Sequence, residues 1–328
     1  MTATASPPAS VDEYSGRLRR LPYPDLRAQR FAALVNLVCQ IGIATTGVVV
    51  RVTSSGLGCT DWPRCNEGSF VPVPGASPMV HQLVEFGNRL LTFVLVAAAI
   101  AVLLAVYRAD RRRELKVLAW AMPLGIVAQA VIGGLSVLTQ LSWWLVALHL
   151  LPTMVLSWLA AVLYVRIAEP DDVAPRHVHP EPLRWLVVAS AAVLAVVLAT
   201  GTMVTGAGPH AGDADVPASE RLQIPIQWLV HFHAEAMVGY IALVIGVLAG
   251  VAAIRSQGPA RRRAAWLIAL IACQAVLGIT QYRLGVPEVL VVVHVTLAGV
   301  ITAVTASLWA AGKVRDPEAR DAVDTITV

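Results

Sequence analysis

The chain has 328 residues, of which 57 % are hydrophobic and only 14 % charged, with a mean hydropathy of +0.67. Soluble domains carry roughly 25 % charged residues, so this composition excludes a water-facing globule, and equally disorder, collagen and a disulfide-dense mini-protein. The net charge of +4 is dispersed between apolar stretches rather than gathered on one face, so there is no electrostatic footprint for nucleic acid.

In chain order, eight apolar stretches predict membrane spans at about 31–52, 79–107, 117–138, 143–167, 184–206, 224–254, 264–283 and 288–311. Each can cross a hydrocarbon core of about 30 Å as a helix. The alternating segments of about ten residues that build a membrane barrel are absent. Arginine placement orients the spans. Arg17, Arg19, Arg20, Arg27 and Arg30 precede span one. Arg108, Arg111, Arg112, Arg113 and Lys116 follow span two, and Arg255, Arg261, Arg262 and Arg263 follow span six. The loop after span four mixes Arg166, Arg176 and Arg184 with Glu169, Asp171 and Asp172. The opposite loops hold mainly Arg64, Arg221 and Arg283. The positive-inside rule therefore makes both termini cytoplasmic. The first 30 residues lack the short apolar core of a signal peptide, and Asp12, Glu13 and Asp25 argue against a transit peptide. Arginine outnumbers lysine, and alanine and valine dominate, as in a bacterial chain of GC-rich coding bias.

The sequence repeats itself. Gln129-Ala-Val-Ile-Gly133 recurs as Gln274-Ala-Val-Leu-Gly278, and His149 recurs as His294, both 145 residues on. Thr46-Gly47 matches Thr200-Gly201 at a spacing of 154, the difference falling in a longer first outer loop. Four spans per half is an even number, so both halves enter the membrane alike. The expected fold is an all-α integral membrane protein of eight transmembrane helices, arranged as two pseudo-symmetric four-helix bundles. The expected parts are a cytoplasmic tail 1–30, a first bundle 31–167, a linker 168–183, a second bundle 184–311 and a tail 312–328.

Polar residues at membrane depth are costly and mark function. The repeat maps Asn88 onto His233 and His149 onto His294. At about 1.5 Å per residue, all four lie roughly 9–14 Å below the outer face. A histidine from each of two facing helices can clamp an iron macrocycle, so His233 and His294 are the candidate axial ligands of a haem in the second bundle. In the first bundle Asn88 is a poor iron ligand, which leaves His149 as a single ligand. His81, Glu85 and Asn88 share one helical face. His81 is a substitute ligand or an interfacial residue. Glu85 is a candidate proton acceptor or charge stabiliser, or else the ion-pair partner of Arg89. His231, two residues from His233, points elsewhere on the helix as a supporting or boundary residue, and Glu235 is a weaker candidate carboxylate beside the same site.

Cys59 and Cys65 share the first outer loop, where a structural disulfide, thiol exchange and a metal pair are all open readings. Cys39 and Cys273, inside spans, are expected to be small buried apolar residues.

Arg51-Val-Thr-Ser-Ser-Gly-Leu-Gly-Cys-Thr-Asp-Trp-Pro-Arg-Cys65 resembles the first outer loop of the haem A synthase family. Gly201-Thr-Met-Val-Thr-Gly-Ala-Gly-Pro-His-Ala-Gly-Asp213 resembles its second-half loop, and Val84-Glu85-Phe-Gly-Asn88-Arg89 its Glu-x-x-His-Arg motif. The likeness covers about residues 30–310. It implies oxidation of the C8 methyl group of haem O to the formyl group of haem A, for cytochrome oxidase. The expected location is the bacterial plasma membrane, with the mitochondrial inner membrane as the alternative. The likeness also implies a haem b cofactor on His233 and His294, and a substrate site around Glu85, Asn88 and His149. Cys59 and Cys65 map onto the family's loop pair, expected as a disulfide. Arg51 and Arg89 are candidate propionate contacts, or else arginines snorkelling at helix ends. Haem O synthase and an electron acceptor are the implied partners. Asn88 stands where many members carry histidine. The rival reading is a cytochrome b-type quinol relay without haem-modifying activity, which needs two complete haem sites. A transporter built on repeats is a further rival, and it has no need of paired histidines.

Overall fold

The computed structural model describes residues 22–211, 218–254 and 259–315. Arg17, Arg19, Arg20 and Arg255, the Gly212-Asp213 end of the second loop motif and most of the 312–328 tail lie outside the described residues. Eight long helices carry the fold: α1 (Leu26–Val52), α2 (Met79–Arg108), α3 (Arg113–Leu138), α4 (Trp143–Arg166), α5 (Glu181–Ala207), α6 (Ile226–Ala253), α7 (Pro259–Arg283) and α8 (Glu288–Ala310). All eight are long and apolar enough to cross a membrane. Large side chains such as Phe93, Trp228 and Val289 point outwards, as a lipid-facing surface requires.

The helix starts follow local chemistry. Asp25 caps α1 by accepting from the Ala28 amide at 2.7 Å. Pro78, Pro225 and Pro287 precede α2, α6 and α8, and proline cannot extend a helix backwards. Four helices begin three to five residues before the expected spans, at Leu26, Arg113, Glu181 and Pro259. Hydropathy marks where hydrocarbon ends. The helices continue past it, with arginine side chains reaching water.

Helices α1 to α4 pack in a ring, each against the next and α4 back against α1; α5 to α8 do the same. In the first ring Ala99, Val102 and Val106 of α2 meet Leu115, Ala119 and Met122 of α3. In the second, Tyr240, Val244, Val247 and Val251 form one buried face of α6. The rings meet where α8 lies against α1 and α4, and α5 against α4. Ala161 and Val162 of α4 face Ala303 and Ala306 of α8 there, because small side chains let helix backbones approach. Thr45 and Thr296 join across the same seam at 2.9 Å.

The arginine-rich turns converge at one end. Arg111 donates to Gln29 and Asp171, both at 2.7 Å. Arg112 pairs with Glu169 and Asp171, and Arg166 with Glu169. Burial alone pushes the Asp171 carboxyl up, but hydrogen bonds and charge from Arg111 and Arg112 outweigh it and hold it below the ordinary carboxylate range. Two short antiparallel strands, β1 (Arg176–His177) and β2 (Lys313–Val314), tie the linker to the segment after α8.

One sequence expectation is corrected. Cys39 is half-buried, but Cys273 is exposed on the outside of α7. It faces lipid, where a thiol is tolerated as a small apolar group.

Candidate functional site

At the end opposite the arginine cluster, two histidine rings face each other. His233 of α6 and His294 of α8 have ring centroids 6.5 Å apart. The Thr200 hydroxyl of α5 lies 3.0 Å from His233 Nδ1. That hydroxyl also lies 2.9 and 3.0 Å from the Val196 and Val197 carbonyls. With its hydrogen used within its own helix the hydroxyl accepts from Nδ1–H, and that tautomer would leave the Nε2 lone pair of His233 free for a metal. Opposite, Gln274 of α7 donates to the His294 carbonyl at 3.0 Å. Gly278, one turn on, packs on the ring itself: a β-carbon there would lie 3.2 Å from His294 Cε1. The repeated Gln-Ala-Val-Leu-Gly string thus has a mechanical role, with the glutamine gripping the histidine backbone and the glycine making room for its ring.

The first ring of helices carries the matching parts. Gln129 donates to the His149 carbonyl at 2.7 Å, and a β-carbon on Gly133 would lie 3.0 Å from His149 Cε1. Thr46 donates to Asn88 Oδ1 at 2.7 Å, the place Thr200 holds beside His233. The Nδ1 atoms of His149 and His294 are both buried and without a hydrogen-bond partner.

Glu85 lies one helical turn before Asn88 on α2, 5 % exposed. Both its oxygens are engaged. Oε2 accepts from the Cys59 amide at 2.7 Å, and Oε1 from Arg89 at 2.5 and 3.2 Å. Arg89 donates onwards to the carbonyls of Arg64 and Asp61 at 2.9 and 3.2 Å. The pair therefore fastens the loop between α1 and α2 to α2. Cys59 and Cys65 in that loop form a disulfide, with S–S 2.06 Å, and both are fully buried. Gly58 lets the loop close on α2, since a β-carbon there would meet the His81 carbonyl oxygen at 2.4 Å. Arg51 turns elsewhere. Its Nε donates to the His210 carbonyl at 2.6 Å, and His210 Nε2 lies 2.8 Å from the Val286 carbonyl. Of the two arginines, Arg89 is committed to the loop and Arg51 to the second-half loop. His231 is exposed, 2.6 Å from the Gln227 carbonyl in its own helix, and Glu235 is exposed.

The donor set suits a haem. An iron held about 2.0 Å from each of two imidazole nitrogens needs ring centroids about 6.3 Å apart, close to the spacing of His233 and His294. Among the described residues no group of three or more His, Cys, Asp or Glu could hold a bare metal ion. A pair of histidines fits an ion that brings its own in-plane ligands.

The cytochrome oxidase assembly protein family COX15-CtaA matches residues 30–306. The chain belongs to the COX15-CtaA family. The match takes in all eight helices apart from the first residues of α1 and the last of α8. Similar proteins include the heme A synthase of Bradyrhizobium diazoefficiens, 28 % identical over 81 % of this chain and 85 % of that protein. The heme A synthases of Exiguobacterium sibiricum and Lysinibacillus sphaericus are 29 % and 30 % identical, each over 54 % of this chain. In those two alignments the chain spans only 59 % and 58 % of the relative's length. Eight apolar helices and bacterial relatives make this COX15-CtaA member a multi-pass protein of the bacterial cell membrane.

Several residues that build the site escape a scan for histidines and carboxylates. Thr46 and Thr200 orient Asn88 and His233. The signal was present in the Thr-Gly repeat, which carried no role. Asn36 and Gln40 of α1 are 0 % and 1 % exposed, and none of their side-chain polar atoms has a partner. The rule that marks intramembrane polar residues applies to them equally.

Proposed function

We propose that the chain is a haem A synthase, oxidising the C8 methyl group of haem O to a formyl group for cytochrome oxidase. The observation that carries this reading is the His233–His294 pair at 6.5 Å, set in a family of cytochrome oxidase assembly proteins. His233 and His294 would hold a haem b. Haem O would occupy the other half, near His149, Asn88 and Glu85. Haem O synthase supplies the substrate, and a membrane electron acceptor takes the electrons.

The two halves, 31–167 and 184–311, are read as a parallel repeat of four-helix bundles. The support is local and specific. Gln129 and Gln274 make the same bond to the carbonyls of His149 and His294. The turns before α4 and α8 both carry two consecutive residues at positive φ, Gln140-Leu141 and Gly285-Val286. Both turns close through the same bond, from the Leu141 amide to Ser136 O and from the Val286 amide to Gln281 O, each at 2.8 Å. The arginine-rich end is read as cytoplasmic, with both termini there. This places the disulfide loop and the histidines towards the outer face.

A haem b held by His233 and His294 would supply one-electron chemistry to the site. His149 would hold the substrate haem. Asn88, whose Oδ1 accepts from Thr46, offers an amide, a poor iron ligand, in the place that His233 holds in the second half. Glu85 keeps a carboxylate one turn away, which stabilises positive charge developing at the oxidised carbon or accepts its proton. The disulfide loop covers this side; with water as the oxygen donor, conversion of the methyl to the formyl group releases four protons and four electrons, the electrons passing to the membrane acceptor. Arg51, with a guanidinium reaching only one carbonyl among the described residues, is the better placed of the two arginines for a propionate.

The test is pigment extraction from the purified chain. Haem O or haem A beside haem B supports the synthase. Haem B alone supports an electron carrier instead, and absence of any haem refutes both.

A further inference from the structure

The arginine-rich end carries a cavity that the haem chemistry does not use. It opens between α5, the end of α8 and strand β2, with a volume of about 260 Å³. Trp309 on its wall lies fifteen residues beyond His294 on α8, so about 22 Å further along the helix axis. Trp309 also walls a second hollow of about 490 Å³, floored by Trp158, Leu159 and Val162 of α4. The two indoles lie 6.2 Å apart. Trp309 is thus a wall common to both hollows, at the seam between the two rings of helices.

The lining is polar at one end and apolar at the other. His179 is only 5 % exposed, packs on the Gly312 backbone, and lines the first cavity. Neither of its ring nitrogens has a hydrogen-bond partner; the neighbouring Val178 carbonyl sits beside the ring outside hydrogen-bond geometry. A buried imidazole with nothing to bond is costly. Beside it, Arg184 Nε is buried and unpartnered, and no carboxylate among the described residues pairs with Arg184 or Lys313. The third cation, Arg166, is already neutralised by Glu169 and Glu114. The one carboxylate on the cavity wall, Glu181, accepts from Trp185 at 3.4 Å. Val187, Val188 and Trp309 complete the wall towards the membrane interior.

Two uncompensated cations, a buried imidazole N–H and an apolar wall with tryptophans at the interface match one chemical class. We propose that this cavity binds the phosphodiester headgroup of an anionic phospholipid, with an acyl chain lying along the Trp309 wall. His179 donates to a phosphate oxygen while Arg184 and Lys313 supply the counter-charge, as basic pockets between membrane helices do. The lipid would bridge α4 of one half and α5 and α8 of the other, cementing the seam at the end away from the haems.

The experiment uses the full chain purified in neutral detergent and stripped of lipid. Thermal unfolding is followed with added phosphatidylglycerol, phosphatidylcholine or inorganic phosphate, and bound lipid is counted by native mass spectrometry. Phosphatidylglycerol should raise the unfolding temperature, and the other two should not. The double variant R184Q/K313Q should bind it about 30-fold more weakly, roughly fivefold per basic residue removed. The variant R261Q/R262Q removes the same charge from the same end outside the cavity and should bind normally. Equal stabilisation by phosphatidylcholine overturns the proposal, as does a full effect of phosphate alone, or equal weakening in both double variants. If R184Q/K313Q fails to fold, the lipid selectivity of the unaltered chain decides by itself.

Discussion

Glu85→Gln removes one charge, yet the structure shows that it does more. A glutamine amide offers one acceptor oxygen and an NH2 group that only donates. Glu85 uses both oxygens as acceptors, one for the Cys59 amide and one for Arg89. Whichever way the new amide turns, an NH2 group faces another donor. A buried donor left unsatisfied costs about 1–3 kcal/mol. Loss of the ion pair adds less than a fully buried pair would, because Arg89 is 23 % exposed and solvent screens it. Glu85→Gln should therefore cost about 2 kcal/mol and loosen the 59–65 loop. Arg89→Gln removes the same pair while keeping the carboxylate. If Glu85 also stabilises charge in the reaction, Glu85→Gln loses about 100-fold or more in haem A formation, and Arg89→Gln loses far less. The assay is haem A yield at matched expression, read beside thermal stability of the same preparations. Equal losses of activity in the two variants, with no further loss when they are combined, would show Glu85 to be a loop anchor and refute the catalytic argument.

Thr200→Val removes the group that fixes His233 and should weaken haem binding 10–100-fold in an optical titration; unchanged affinity would contradict the assigned tautomer. Reducing the Cys59–Cys65 disulfide, which spans a sequence separation of 6, should destabilise the chain by about 2 kcal/mol, and non-reducing peptide mapping should recover the linked pair. Gly58→Ala should unseat the loop between α1 and α2, detected as faster reduction of that disulfide, because the new methyl meets backbone and not a movable side chain. Asp171 has a depressed pKa in the native state. Its contribution is complete above the ordinary aspartate value of about 3.9 and is lost as pH falls through the lower native value. The stability gap between the unaltered chain and Asp171→Asn should therefore be constant near neutrality and close in acid.

The spans were legible because hydrocarbon imposes one requirement on every residue of a lipid-facing helix, and a sliding count of apolar side chains reads it directly. The ends were less legible. Arg113 and Pro259 begin helices in the headgroup region, where arginine is as acceptable as valine in hydrocarbon. The histidines stood out because an ionisable ring at membrane depth is too costly to keep without a partner or a ligand. The threonine and glutamine contacts did not, since nothing in composition distinguishes a glutamine gripping a carbonyl 20 residues away from one facing water. Glu85 and Arg89 show the same limit. Their i,i+4 spacing revealed the pair, but the loop carbonyls and the Cys59 amide that complete the clamp come from residues 59–65, which only the folded chain brings there.

The most direct test is haem analysis of a bacterial host that makes haem O but lacks its own haem A synthase, carrying this chain as the only replacement. Haem A should appear with the unaltered chain. His149→Ala should abolish it while the purified protein keeps the absorption spectrum of its haem b. A chain that inserts and binds haem b, yet leaves haem O unconverted, would contradict the synthase reading and leave an electron carrier in its place.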